Sequence, residues 1–488
     1  MLSRSLASPP TLPGTMPVLT PDASTHPILT PELESECDAL TDTTVREGNS
    51  VTLLPSGLES YRLRWELLEK ARHSIHVVAF SIMRDETSAY LRDLICRKAR
   101  EGVRVRMIFD DGVLLSTFAG GLLRDMERAG AEVIRYHRMS RDWIPDLRRG
   151  HPLRQVARTA KLKLRRHFHE KYLVVDGREA ILGGINWGNK YAHGGRDPKA
   201  WRDSDVYLTG PVVGDIQRRF LHDFFLYQAM EAEHSARRQP GFDRERHYRE
   251  FREREEILLR EEGADYLPPL PVTGTERIRY IPHKPFDEER LRLTEALLQL
   301  FREARRYIYW GCHGIRPPRI LGETLAAAAQ RGVEVRLITN SSHASRTLMA
   351  YGLLGWMYWE SSNHFPWLLR NGVRVFEWQK PGAFHSKNLV IDDVVASVGS
   401  YNIARGSAFH HTESNVVVYG GEFPLAVRRQ FEVDFADCRE VTPDTARPVS
   451  ARHDPFLRPL SERDLLVRPS LRTEAIQRDL DAGRYKRL

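Results

Sequence analysis

HFHEKYLVVDGREAILGGINWGNKY (167–191) and FHSKNLVIDDVVASVGSYN (384–402) carry one skeleton twice. His169, Lys171, Asp176, Gly183, Gly184 and Asn186 in the first correspond to His385, Lys387, Asp392, Gly399, Ser400 and Asn402 in the second, each at the same offset of 216 residues. A single His-x-Lys pair arises readily by chance. Two copies with identical internal spacing, each followed by Gly-Gly/Ser-x-Asn, do not. Residues i and i+2 of a strand share a face, so the His and Lys of each pair point the same way. Asp176-Gly177 is turn chemistry, and AILGGIN returns as the second strand of a hairpin. Pairing 175 with 180 sets Lys171 beside Gly184 and His169 beside Asn186. Pairing 391 with 396 does the same for Lys387 with Ser400 and His385 with Asn402. On that register Asn186, Asn402, Gly184 and Ser400 are the expected substrate-binding positions, the small residues letting a phosphate approach the backbone.

The repeat extends outward from the hairpins. EGVRVRMIFDD (101–111) matches RGVEVRLITNS (331–341), AGAEVIRYH (129–137) matches NGVRVFEWQ (371–379), and ARHSIHVVAFS (71–81) matches ARRYIYWGCHG (304–314). Each half therefore reads strand, helix, strand, helix, strand and hairpin, the signature of α/β units around a largely buried sheet. After each hairpin comes a further strand, WRDSDVYLTG (201–210) or HTESNVVVYG (411–420), which aligns Asp203 with Glu413. Each carboxylate is expected to accept Nδ1–H from the histidine of its own half, fixing the tautomer and raising ring basicity. The competing reading is a plain surface ion pair with a neighbour such as Arg202.

The expected organisation is a Pro/Thr/Ser-rich disordered leader over 1–45, repeat one over 46–235, a charged helical linker over 236–274, repeat two over 275–440 and a tail over 441–488. Repeat one alone inserts a strongly basic stretch, 138–166, read either as a solvated loop or as a surface for anionic head groups with Trp143 and Ile144 as anchors. Of 488 residues, 41% are hydrophobic and 28% charged, enough for sizeable cores, and the net charge of +8 favours an anionic partner without choosing one. The four cysteines show no metal-site spacing, which fits a reducing compartment; neither a metal nor another cofactor is expected. No apolar run is long enough to span a bilayer, and prolines interrupt the N-terminus where a signal peptide needs a continuous apolar core. A cytoplasmic protein that docks peripherally on the inner face of the membrane is the expectation.

With its duplicated HxKxxxxD pattern, the sequence resembles the phospholipase D superfamily across about residues 48–440, and within it the bacterial cardiolipin synthases, through GGINWGNKY, WRDSDVYLTGPVV (201–213) and the following DIQRRFLHDFF. Two features depart from many of those relatives: N-terminal membrane helices are missing, and WGCHGIRPPRIL (310–321) stands where a Tyr-Phe-x-Pro element is common. The resemblance implies two pseudo-twofold-related α/β domains, each with a mixed, mostly parallel sheet flanked by helices, and one active site at their interface. It further implies phosphatidyl transfer to a lipid alcohol such as phosphatidylglycerol, with a phospholipid as partner, an anionic membrane as surface and no nucleic acid. By analogy His169 attacks phosphorus and His385 protonates the leaving oxygen, while Lys171, Lys387, Asn186 and Asn402 bind the non-bridging oxygens. Asp176 and Asp392 belong to the catalytic motif, although their turn positions predict structural work. Phospholipase D hydrolysis, or nucleic-acid cleavage, uses the same motifs, which do not separate these reactions. Of the other histidines, His167 shares a face with His169 but has Ala383 in the matching place of repeat two, and His410 and His411, just before the carboxylate, are candidates to line the cleft, while His76, His313 and His364 read as packing or surface residues.

Overall fold

A computed structural model describes residues 25–110, 120–136, 166–237, 239–285, 288, 290–344 and 355–446, with short strand segments at 460–461 and 485–486. The basic stretch expected at 138–166 lies outside the described residues apart from Arg166, as does most of the tail.

Half one contributes strands β1 (Arg46–Leu54), β2 (Ser74–Ala79), β3 (Arg104–Asp110), β4 (Glu132–Tyr136), β5 (Tyr172–Val175), β6 (Glu179–Gly183) and β7 (Asp205–Thr209). Half two contributes β8 (Glu276–His283), β9 (Tyr307–Gly311), β10 (Glu334–Asn340), β11 (Arg374–Trp378), β12 (Leu389–Ile391), β13 (Val395–Gly399), β14 (Glu413–Tyr419) and β15 (Cys438–Glu440). Among the described residues these form one continuous sheet in the order β15-β11-β10-β9-β12-β13-β14-β8-β1-β7-β6-β5-β2-β3-β4. Apart from β15 the order reads the same from both ends, so the sequence repeat becomes a pseudo-twofold axis between β1 and β8. The mixed α/β sheet is as expected, but the antiparallel share is larger. Between the strands of this sheet, parallel pairing is confined to β2-β3-β4 and β9-β10-β11, where helices make the crossovers. The hairpins and the β1–β8 pairing at the seam are antiparallel.

The crossover helix Glu86–Arg100 shows how local sequence sets these elements. Asp85 caps its N-terminus through Ser88 N, basic residues fill its last turn, and Leu91, Leu94 and Ile95 face inward. Each half has its own apolar core, and a third core draws on both halves, from Val78 and Tyr172 to Tyr280, Val390 and Phe431. The seam is therefore packed like an interior. In the expected linker, Asp243 caps a helix over Arg244–Glu261 whose buried residue is Phe251.

The leader expectation needs correcting. Residues Pro27–Leu29 form a 3₁₀ turn and Pro31–Thr41 an α-helix, with Ile28, Leu33 and Cys37 buried in the core of half two. The Pro/Thr/Ser composition hid a helix start: Thr30 caps Leu33 N, Pro31 sits at the first helical position, and Glu32 and Glu34 fill the first turn.

Candidate active site

Each motif histidine sits just before its hairpin, on a segment that reaches across the seam. His169 N donates to Thr412 O (3.0 Å) and Thr412 N to His167 O (2.9 Å). On the other side His385 N donates to Arg202 O (2.7 Å) and Arg202 N to Ala383 O (2.8 Å). Each histidine is thus strung onto the residue that precedes the opposite half's carboxylate. His169 Nδ1 lies 2.8 Å from Glu413 Oε2, and His385 Nδ1 lies 2.6 Å from Asp203 Oδ2. This corrects the pairing expected within each half: the carboxylates are exchanged. Ser204 ties the seam further, its hydroxyl 3.0 Å from both Ser386 Oγ and Asn388 Oδ1.

The four central side chains are buried: His169 is 6% exposed, Lys171 1%, His385 7% and Lys387 1%. Burial pushes His169 down to about 3, against the pull of Glu413, so its imidazole is held neutral. Burial also works to raise Glu413, but His169, His411 and Lys171 outweigh it and hold the carboxyl well below its ordinary range. Asp203 goes the other way, pushed up to about 6 by burial while Lys387 opposes. His385 falls well below the usual imidazole value through burial and then the charges of Lys387, Lys171 and His169. Burial lowers Lys171 to about 7, with Lys387 across the seam adding to it. Groups of both halves therefore share one electrostatic neighbourhood. Both ammonium groups donate to the backbone carbonyl two residues back, and Lys387 Nζ also lies 2.8 Å from His385 Nδ1.

Other predicted residues take different places. The hairpins pair 175 with 179 and 391 with 395, one residue tighter than expected. Three-residue turns cause the difference, with Asp176 (φ 52°), Asp392 (φ 56°) and Asp393 (φ 62°) in the left-handed region. Lys171 accordingly faces Gly183, whose N–H bonds Lys171 O. A Cβ on Gly184 would stand 2.2 Å from Asp203 Oδ1, so this glycine makes room for the carboxylate and not for a phosphate. Ser400 Oγ accepts from Ser414 N (3.0 Å), holding the strand that bears Glu413. Asn186 Oδ1 accepts from Ser81 N, and its amide donates to Tyr191, whose ring packs 5.5 Å from His385. Asn402 Oδ1 lies 3.0 Å from His313 Nδ1. The motif aspartates sit at the turn end of each hairpin, away from the histidines. Asp176 accepts the backbone N–H groups of Arg72, His73 and Ser74, and Asp392 those of Arg305, Arg306 and Tyr307, plus His26 Nε2 at 3.0 Å.

Several residues escaped the sequence reading. Asp110 Oδ2 accepts from Phe168 N (2.7 Å), and Asn340 Oδ1 from Phe384 N (2.7 Å), so matched residues at the ends of β3 and β10 each fix the residue before a histidine. Their equivalence was visible in the quoted repeat. Glu170, between His169 and Lys171, pairs with fully buried Lys284, which also bonds Asp223 at 2.8 Å. His313, read as packing or surface, places its ring 5.4 Å from His385. Phe80 in the matching position contacts His169 at 4.7 Å. Finally, although no metal-ligand spacing was expected, His169, His411 and Glu413 bring donor atoms within 4.8 Å of one another.

Comparison with known proteins places this arrangement. The family description "Cardiolipin synthase, PLD-like domain" matches residues 65–205 and 297–435. The chain is 25% identical over 393 residues to cardiolipin synthase 2 of Bacillus cereus, covering 80% of this chain and 65% of that protein. It is 26% identical over 390 residues to the cardiolipin synthase of Geobacillus kaustophilus, covering 80% and 66%. The chain thus spans just under two thirds of the length of these relatives. In fold it is similar to phosphatidylserine synthase of Haemophilus influenzae, with a TM-score of 0.59 at 14% identity, covering 84% of this chain and 91% of that one.

Proposed function

We propose that this chain, which belongs to the cardiolipin synthase family of phospholipase D-like domains, is a phosphatidyltransferase that cleaves a phospholipid phosphodiester and passes the phosphatidyl group to a lipid alcohol such as phosphatidylglycerol. The observation that carries the reading is the pair of histidine–carboxylate dyads, each made across the seam, with two buried lysines that feel the charge of both carboxylates.

A phosphodiester has a poor alkoxide leaving group, so the reaction needs a nucleophile, an acid and fixed positive charge around phosphorus. His169 donates Nδ1–H to ionised Glu413, which leaves the Nε2 lone pair to attack. The Nε2–P bond forms as the P–O bond to the departing glycerol breaks, and His385 hands that oxygen its proton. His385 then takes the proton of the incoming hydroxyl, whose oxygen attacks phosphorus and releases His169 unchanged. Lys171 and Lys387 balance the non-bridging oxygens, and the phosphate anion in turn favours protonated His385 against the cationic field that lowers it. Asn186 and Asn402, beside Tyr191 and His313, complete the cradle. The enzyme works at the surface of an anionic membrane; among the described residues no helix is long and apolar enough to cross one.

Incubating the purified chain with phosphatidylglycerol vesicles and following lipids by mass spectrometry tests the reading. Cardiolipin with free glycerol is the expected product. Phosphatidic acid alone would replace transfer by hydrolysis, and cleavage of an oligonucleotide with lipids untouched would overturn the lipid assignment.

A further inference from the structure

We propose that the seam around His169 carries a binding site for a borderline-soft divalent cation such as Zn²⁺, formed by His169 of half one with His411 and Glu413 of half two, and that its occupation silences the enzyme. The inhibitory part rests on the phosphatidyltransferase reading; the binding part does not.

The three side chains meet at one point of the seam. Glu413 Oε2 is 2.8 Å from His169 Nδ1, its Oε1 is 3.8 Å from His411 Nδ1, and the two imidazole rings are 5.7 Å apart. All three ligand atoms lie within 4.8 Å of one another. Tetrahedral Zn²⁺ takes such nitrogen and oxygen donors at about 2.0–2.2 Å, so closure requires side-chain shifts on the order of 1 Å. Glu413 is fully buried and His169 nearly so, whereas the His411 side chain is 22% exposed, giving the ion a way in from solvent. Three protein ligands leave a fourth position for water or a phosphate oxygen. The pseudo-twofold supplies an internal control: Trp201, beside His385, occupies in half one the position that His411 occupies in half two, and among the described residues His385 and Asp203 belong to no group of three such donors within the same reach.

Inhibition follows from imidazole chemistry. A cation on Nδ1 of His169 takes the place of the proton shared with Glu413. That proton moves to Nε2, the nitrogen that must attack phosphorus, and the lone pair is no longer available. Mg²⁺ is a poor occupant, because it favours octahedral, oxygen-rich coordination and here finds one carboxylate and two imidazoles.

The test titrates the full chain with ZnCl₂ by calorimetry and follows turnover on phosphatidylglycerol vesicles in parallel. Expected are one specific Zn²⁺ per chain, loss of turnover that excess chelator reverses, and no such loss with equal MgCl₂. His411→Phe should weaken Zn²⁺ binding at least ~10-fold and shift inhibition by the same factor; His411→Asn, with no ring, should do the same. His385→Asn, altered at the other dyad and without turnover, should bind Zn²⁺ like the unaltered chain. Unchanged Zn²⁺ affinity in both His411 variants, or loss of binding in His385→Asn alone, overturns the site. Binding with turnover intact overturns the inhibition. Zn²⁺ binding as described in a chain that turns over no lipid supports the site and removes the functional reading instead.

Discussion

The two halves of the site share one backbone plan and differ in chemistry. In each, a hairpin presents His-x-Lys, an Asp or Asn at the end of a neighbouring strand fixes the residue before the histidine, and the opposite half supplies the carboxylate. Around His169, however, stand His411, His167 and Phe80 with a carboxyl held firmly ionised. Around His385 stand Trp201, Tyr191 and His313, with a carboxyl pushed up to about 6. Duplication made two equivalent dyads, and their neighbours made them unequal. That inequality is what an enzyme with one nucleophile and one acid requires.

The largest effect should come from the histidines themselves. His169→Asn and His385→Asn should each lower turnover about 10⁴-fold or more with little change in thermal stability. Acid-quenched peptide mapping should find the phosphoryl group on His169; label on His385 would reverse the roles of the halves. Next, Glu413→Gln should lower turnover about 10²–10⁴-fold, and more than Asp203→Asn does, because the first removes a full charge and the second one that is partly neutralised near pH 6. Equal losses would erase the proposed inequality.

The pH profile of kcat/KM sharpens the same contrast. Asp203 is protonated below about 6, so turnover should fall as pH drops through that value, and Lys171 loses its charge above about 7, which should give a falling alkaline limb. Asp203→Asn should flatten the acidic limb. The sign for stability is opposite. Asp203 holds its proton more tightly folded than unfolded, so its contribution declines as pH rises from about 4 to about 6.

Outside the chemistry, Lys284→Met removes the buried cation from Glu170 and leaves Asp223 to Arg219 alone, and should cost about 3–5 kcal/mol in denaturant unfolding. At Ser386, the half-two counterpart of Glu170, Ser386→Ala should cost only about 1 kcal/mol. A similarly small effect is expected for Ser400→Ala: about 1 kcal/mol of stability and a few-fold in turnover. Its hydroxyl serves the Ser414 backbone; a loss of 100-fold would return Ser400 to the phosphate.

Much of this was legible from spacing alone. His169, Lys171, His385 and Lys387 recur at a constant offset, and alternation along a strand put each pair on one face. The hairpin register was not legible, because three- and four-residue turns both suit Asp-Gly, and only the left-handed turn residues distinguish them. Gly184 shows the same limit. Its smallness was readable, but the neighbour needing the space, the Asp203 carboxylate, was not.

By itself the sequence determined that the chain has two α/β halves, each with a His-Lys hairpin and an acidic residue on the strand that follows, since those features repeat within local spacings. Tertiary structure decided which carboxylate serves which histidine. Glu413 is 244 positions from His169 but 28 from His385, and Asp203 is 182 from His385 but 34 from His169, so nearness in the chain pointed to the wrong partner in each case. Proximity there depends on backbone bonds across the seam between β1 and β8, and chain order carries no record of which side chains such a seam brings face to face.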